Sequence, residues 1–155
     1  MDDIQKIYQM LNWKEPEEIQ AKGIRLAKEI EDLSLLILPP AEPSVWECCA
    51  RILSEKNDLA LAPYLARLLD WLRDLNWPGA SIILDRLKKF PGEQLKEPFI
   101  AQLAQAKSLD NDEGLMWLDY LSELLDNEDL KAVLPKPIIE DLQKHYHNWA
   151  FWRKD

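Results

Sequence analysis

Two valines and no threonine among 155 residues constrain this chain more than any other feature. Strands draw on β-branched and aromatic residues, which fit a pleated, half-buried surface. Here the branched supply is 12 Ile, set against 27 Leu, with 4 Gly to make turns. Leu, Ala, Glu and Lys favour helix. An all-β sandwich is therefore excluded, and little sheet of any kind is expected. With 47% apolar and 30% charged residues the chain has globular rather than disordered composition. At this length one domain spanning residues 1–155 is the simplest partition.

The 10 prolines punctuate a series of amphipathic stretches. Ile4, Ile7, Tyr8 and Leu11 share one helical face, predicting a first helix over Asp2–Leu11. Ile19, Gly23, Leu26, Ile30 and Leu33 do the same for Pro16–Leu33. Ser44 and Glu47 have the spacing of a capping box opening a third helix through Val45, Cys49, Ile52 and Leu53. A fourth is expected from Pro63 to about Asp74, and a fifth from Pro78, placed in its first turn, through Ile82, Ile83 and Leu87. Pro91-Gly92 should end that helix. Later helices are expected at Pro98–Ala106, Glu113–Leu125 with Asp112 as cap, and Pro137–Trp152.

An echo runs through these stretches. Pro63-Tyr64-Leu65-Ala66-Arg67-Leu68 returns as Pro98-Phe99-Ile100-Ala101-Gln102-Leu103 and, more loosely, as Pro137-Ile138-Ile139-Glu140-Asp141-Leu142. A unit of this kind opening every second helix suits stacked helix pairs, each burying its apolar face on the next. The expected fold is an all-α, short HEAT-like stack of about eight helices in four antiparallel pairs.

The formal net charge of −9 argues against nucleic acid and anionic membrane as partners. The acidic start Met1-Asp2-Asp3 is unlike a secretory signal, and no apolar run approaches the ~20 residues that span a bilayer. Cys48 and Cys49 are adjacent, so a bond between them inside a helix is geometrically excluded. They read as reduced core residues of a cytoplasmic protein.

Little in the chain points to chemistry. His145 and His147 lie two apart on a helix and face different sides, and the pair Asp141–His145 lacks a third metal ligand. Asp110-Asn111-Asp112-Glu113-Gly114 superficially resembles a calcium loop but has Leu121 where the bidentate glutamate belongs. No metal, no cofactor and no catalytic set is expected. The 7 tryptophans, Trp13, Trp46, Trp71, Trp77, Trp117, Trp149 and Trp152, read chiefly as wedges between helices. Trp77 in a loop and Trp46 in a first helical turn are the better candidates for exposed anchors, and Trp71 the better candidate for the core.

Trp46-Glu47-Cys48-Cys49-Ala50, Leu68-Leu69-Asp70-Trp71-Leu72 and Asp74-Leu75-Asn76-Trp77-Pro78-Gly79-Ala80 together resemble an uncharacterised bacterial family of unknown function. Its members share a W-E-x-C-A helix followed by L-L-x-W-L-x-D-L-N-W-P-G-A. The opening Leu11-Asn12-Trp13 through Pro16-Glu17-Glu18-Ile19-Gln20 to Gly23-Ile24 is similar as well, so the resemblance is strong over the first 90 residues or so and weak beyond. It implies a small helical-repeat domain without an established activity, in a family sometimes associated with toxin–immunity systems. Two non-enzymatic functions follow: an acidic immunity protein that covers the cationic site of a basic toxin domain, or a general adapter. The expected partner-binding edge combines Trp46, Glu47, Asp70, Asp74 and Trp77.

Overall fold

In a computed structural model the chain is described over residues 3–143, and every regular element among them is helical. The expected all-α stack is what the chain forms. α1 (Asp3–Leu11) and α2 (Glu17–Ala27) pack together, with Tyr8 and Leu11 facing inward. The Tyr8 hydroxyl donates to the Leu35 carbonyl at 2.6 Å and ties α1 to a 3₁₀ turn, Leu33–Leu36. That turn is separate from α2, which ends at Ala27 and does not reach Leu33. Asp32 breaks the expected stripe by accepting from the Ser34 amide at 3.1 Å and capping the turn.

α3 (Trp46–Ser54) packs on α6 (Ala80–Leu87) rather than chiefly on the element that follows it. Between them lies a segmented rod: α4 (Asp58–Leu61), a 3₁₀ turn Ala62–Tyr64, α5 (Leu65–Asp70) and a 3₁₀ turn Trp71–Arg73. α7 (Gly92–Leu109) is the longest helix described and touches α5, α8 (Asp112–Ser122) and α9 (Glu128–Val133). A 3₁₀ turn Glu123–Asp126 joins α8 to α9, and residues 136–143 are helical again. One continuous core runs from Tyr8 and Leu11 through Leu53, Leu69 and Trp71 to Phe99, Leu121 and Leu130.

Several ends differ from expectation for identifiable reasons. Ser44 does not form a capping box, because it sits inside a 3₁₀ turn, Pro43–Val45, with its hydroxyl 3.3 Å from the Glu42 carboxylate. The rod begins at Asp58, not Pro63, because Asn57 accepts from the Ala60 amide at 2.8 Å and nucleates α4. α8 is likewise capped by Asn111, not Asp112. Pro78 precedes the cap of α6, and the cap residue itself is Gly79.

Pro98 starts nothing. It lies within α7, whose first turn is instead set by Pro91 and Gly92. An interior proline forfeits one helical hydrogen bond and costs ~3 kcal/mol. Leu95 and Phe99 on either side of it are fully buried, and that packing keeps the helix continuous. Pro63 falls in a 3₁₀ joint and Pro137 in the helical run 136–143. The six-residue echo thus occupies three different settings and does not mark equivalent helix starts.

Gly92 and Asn127 hold the start of α7 and the end of α6 against the start of α9. A Cβ at Gly92 would stand 2.4 Å from the Asp129 carbonyl oxygen, so only glycine permits this approach. The Gly92 amide in turn donates to the Asp129 carboxylate at 2.6 Å.

Candidate functional site

The N-W-P-G-A segment is built around three indoles. Trp71 is fully buried and Trp46 and Trp77 are half-buried. The Trp46 ring meets Trp71 edge-on at 6.4 Å and Trp77 at 5.8 Å between centroids. Each of two indoles is anchored by its N–H, Trp46 to the Pro39 carbonyl at 3.1 Å and Trp71 to the Pro78 carbonyl at 2.9 Å. Gly79 closes the loop with φ of 85°, a left-handed conformation that favours glycine. A Cβ there would also fall 2.7 Å from the Ala50 Cβ and 3.1 Å from the Trp71 ring. The signature residues thus carry a structural task first: a turn tight enough to press α6 against α3.

The five residues expected at one partner edge are distributed over three settings. Trp46 and Trp77 are in contact, as described. Glu47 is half-buried and pairs with Arg51 at 3.7 Å on α3. Asp70 and Asp74 belong to the other side of the rod, toward α7 and α8. The Asp70 carboxylate accepts from the Gln102 amide at 2.7 Å, and Gln102 is buried. Asp74 accepts from the Asn76 amide at 2.8 Å, which turns the chain into the Trp77 loop. Burial, with the Asp74 charge added, holds the Tyr120 phenol above its ordinary range. Between the two aspartates, Arg73 lies over the buried Trp117 ring at 4.4 Å and reaches Glu113 at 3.9 Å.

Cys48 and Cys49 are both free and buried, as expected of core thiols. Burial, helped by the neighbouring thiol, raises Cys49 from an ordinary 9.0 to about 12. A thiol is neutral when protonated, so above pH ~9 the unfolded chain releases this proton while the folded chain keeps it. Unfolding should therefore become easier as pH rises from about 9 toward about 12. Alkylation at mildly alkaline pH should likewise be slow in native protein and fast in urea. Rapid native labelling at both cysteines would show that the thiols are accessible.

No group of three or more His, Cys, Asp or Glu among the described residues is placed to hold a metal ion. Asp110 takes a left-handed turn with φ of 47°, and Asn111 serves as a helix cap, so this loop is a helix junction. Asp141 pairs with Lys107 at 2.5 Å, while His145, His147, Trp149 and Trp152 lie outside the described residues. Trp117 is in the core and Trp13 is 47% exposed. No helix among the described residues is long and apolar enough to cross a membrane.

The sequence model of a domain of unknown function, DUF5071, matches residues 47–145, well over half of the chain. The chain belongs to the DUF5071 family. The match takes in the later helices, where the resemblance in sequence was weak, and leaves out the Leu11–Ile24 opening. No curated protein and no solved structure matches the chain. Within the DUF5071 segment, the structure draws attention to a stretch that composition alone averages away. Residues 108–130 contain no Lys or Arg, yet hold Asp110, Asp112, Glu113, Asp119, Glu123, Asp126, Glu128 and Asp129. In the sequence this stretch shows as two separate acidic runs, within 110–113 and 126–129, which the absence of Lys and Arg between them joins. Folding turns this stretch into α8, a 3₁₀ turn and the start of α9.

Proposed function

We propose that this DUF5071 protein binds a basic protein, without catalysis of its own, as an immunity protein covering the cationic site of a toxin domain. The observation that carries the reading is the base-free stretch over residues 108–130, in a chain of net charge −9. An excess of negative charge speeds encounter with a cationic surface and suppresses wrong partners. The indoles at Trp46 and Trp77 add half-buried aromatic surface of the type that anchors interfaces. The cytoplasm, where the thiols stay reduced, is the compartment this reading requires.

An adapter is the second reading, and a different observation favours it. Trp13, Ile19, Leu26 and Leu35 are exposed in the part of the chain that precedes the family match. Apolar surface of that kind binds without much regard to salt. Tagged full-length protein, incubated with extract of its native host at low salt and eluted on a salt gradient, separates the two. Elution of a basic toxin domain as salt rises is the result expected. Retention through high salt, or recovery of a large acidic or neutral assembly, would overturn the immunity reading in favour of the adapter.

A further inference from the structure

We infer that the outer face of α8, with Met116 and Tyr120 at its centre and Asp74, Asp112 and Glu113 at its rim, is a docking surface for a basic amphipathic segment of a partner protein. The inference rests on the reading that the partner is basic, and adds where it docks and what it presents. α8 buries Gly114, Trp117, Leu118 and Leu121 against the core. Helical geometry then points Asp112, Met116 and Tyr120, at successive steps of four, along the opposite face. Met116 is 43% exposed, and Tyr120 is half-buried. Met116 is thus a large apolar side chain left exposed on the same helix as the exposed Asp112 and Glu113.

Charge decides the occupant. Arg73, a cation described at this face, is already engaged by the Trp117 ring and Glu113, and Lys88, which acts on Glu123, pairs with Asp126 at 3.1 Å. No other cation comes from α8 itself, since residues 108–130 hold none. Asp74, from the end of the rod, adds its charge beside Tyr120. A thioether and a phenol offer adaptable contact to an aliphatic side chain, Met in particular conforming to varied partners. Flanking carboxylates offer charge-assisted hydrogen bonds to Lys or Arg on either side of it. That combination fits a cationic amphipathic helix better than a uniformly charged strand, and a second copy of this chain, equally acidic, is repelled.

A short synthetic Leu/Lys peptide patterned as an amphipathic helix, and the same residues in scrambled order, serve as probes in fluorescence anisotropy with the full-length protein. The patterned peptide should bind at low salt and the scrambled one markedly more weakly. Met116→Ser should weaken the patterned peptide about tenfold, the scale of one interface anchor, with its salt dependence unchanged. Asp74→Asn with Glu113→Gln should flatten the salt dependence instead. Circular dichroism of each variant keeps a folding defect apart from a binding defect. Equal binding of both peptides, or an equal loss from Glu17→Gln with Glu18→Gln on α2, would overturn the α8 face while leaving a basic partner in place. No binding by either peptide at low salt overturns the face too, and the salt-elution profile then decides the basic-partner reading independently.

Discussion

Replacing Trp71 by alanine is expected to destabilise the fold by about 3–5 kcal/mol, the range for deleting a buried aromatic ring. The ring is fully buried and lies where α3, the rod and α6 meet. Its loss removes the edge-on contact with Trp46 and opens a cavity beside Gly79. It also strands the Pro78 carbonyl, which now accepts the indole N–H at 2.9 Å. For a domain of this size the change should lower the melting temperature by roughly 6–20 °C, at about 2–4 °C per kcal/mol. Trp71→Phe restores most of the volume but not the hydrogen bond, so it should recover more than half of the loss. Urea denaturation of the three proteins measures both. A Trp71→Ala protein within ~1 kcal/mol of the parent would mean that α3 and α6 do not depend on this wedge.

The tryptophans show where sequence reasoning reached and where it stopped. Burial of Trp71 follows from its place on the flank of the Leu65, Leu68 and Leu72 stripe, and the half-exposure of Trp46 and Trp77 agrees with their places in a first turn and a loop. Helical class was legible in the side-chain inventory alone, since a chain nearly without Val and Thr has few residues that prefer strands. Helix ends were less so. Asn57, Asn111 and Asn127 each cap a helix through a side-chain oxygen, a signal that the 10 prolines overshadow in the sequence. Proline biases a chain locally, but burial of Leu95 and Phe99 outweighs Pro98.

The candidate edge was legible only in part, for a related reason. Asp70 and Asp74 are near Trp71 and Trp77 in sequence, yet the Asp70 carboxylate meets Gln102, and Asp74, while accepting from the Asn76 amide, adds its charge near Tyr120. Neighbours four residues apart share a helix face, but which element that face meets depends on packing between distant segments. The α8 side chains of the proposed docking face come from some forty residues further along, a proximity that periodicity does not encode.

Asn127→Ala should cost about 3 kcal/mol, large for a polar residue, because three backbone groups lose their partner at once. The Asn127 amide donates to the Leu87 and Phe90 carbonyls at 2.9 Å each, and its oxygen accepts from the Leu130 amide at 3.0 Å. The residue is only 3% exposed, so solvent cannot readily replace it. Leu87 ends α6 and Phe90 precedes Pro91, whose ring nitrogen has no proton to offer a carbonyl. Asn127 therefore closes the end of α6, begins α9 and holds both beside the Gly92–Asp129 contact. Asn127→Asp separates these roles, since aspartate is as good an N-cap as asparagine on an ordinary helix. Here a carboxylate would face two carbonyl oxygens without a proton to donate, so Asn127→Asp should be at least as damaging as Asn127→Ala at neutral pH. Chemical denaturation of both variants reads the outcome directly. If Asn127→Asp keeps parental stability, capping α9 is the whole task of this residue, and the bridge to α6 contributes nothing to the stability of the stack.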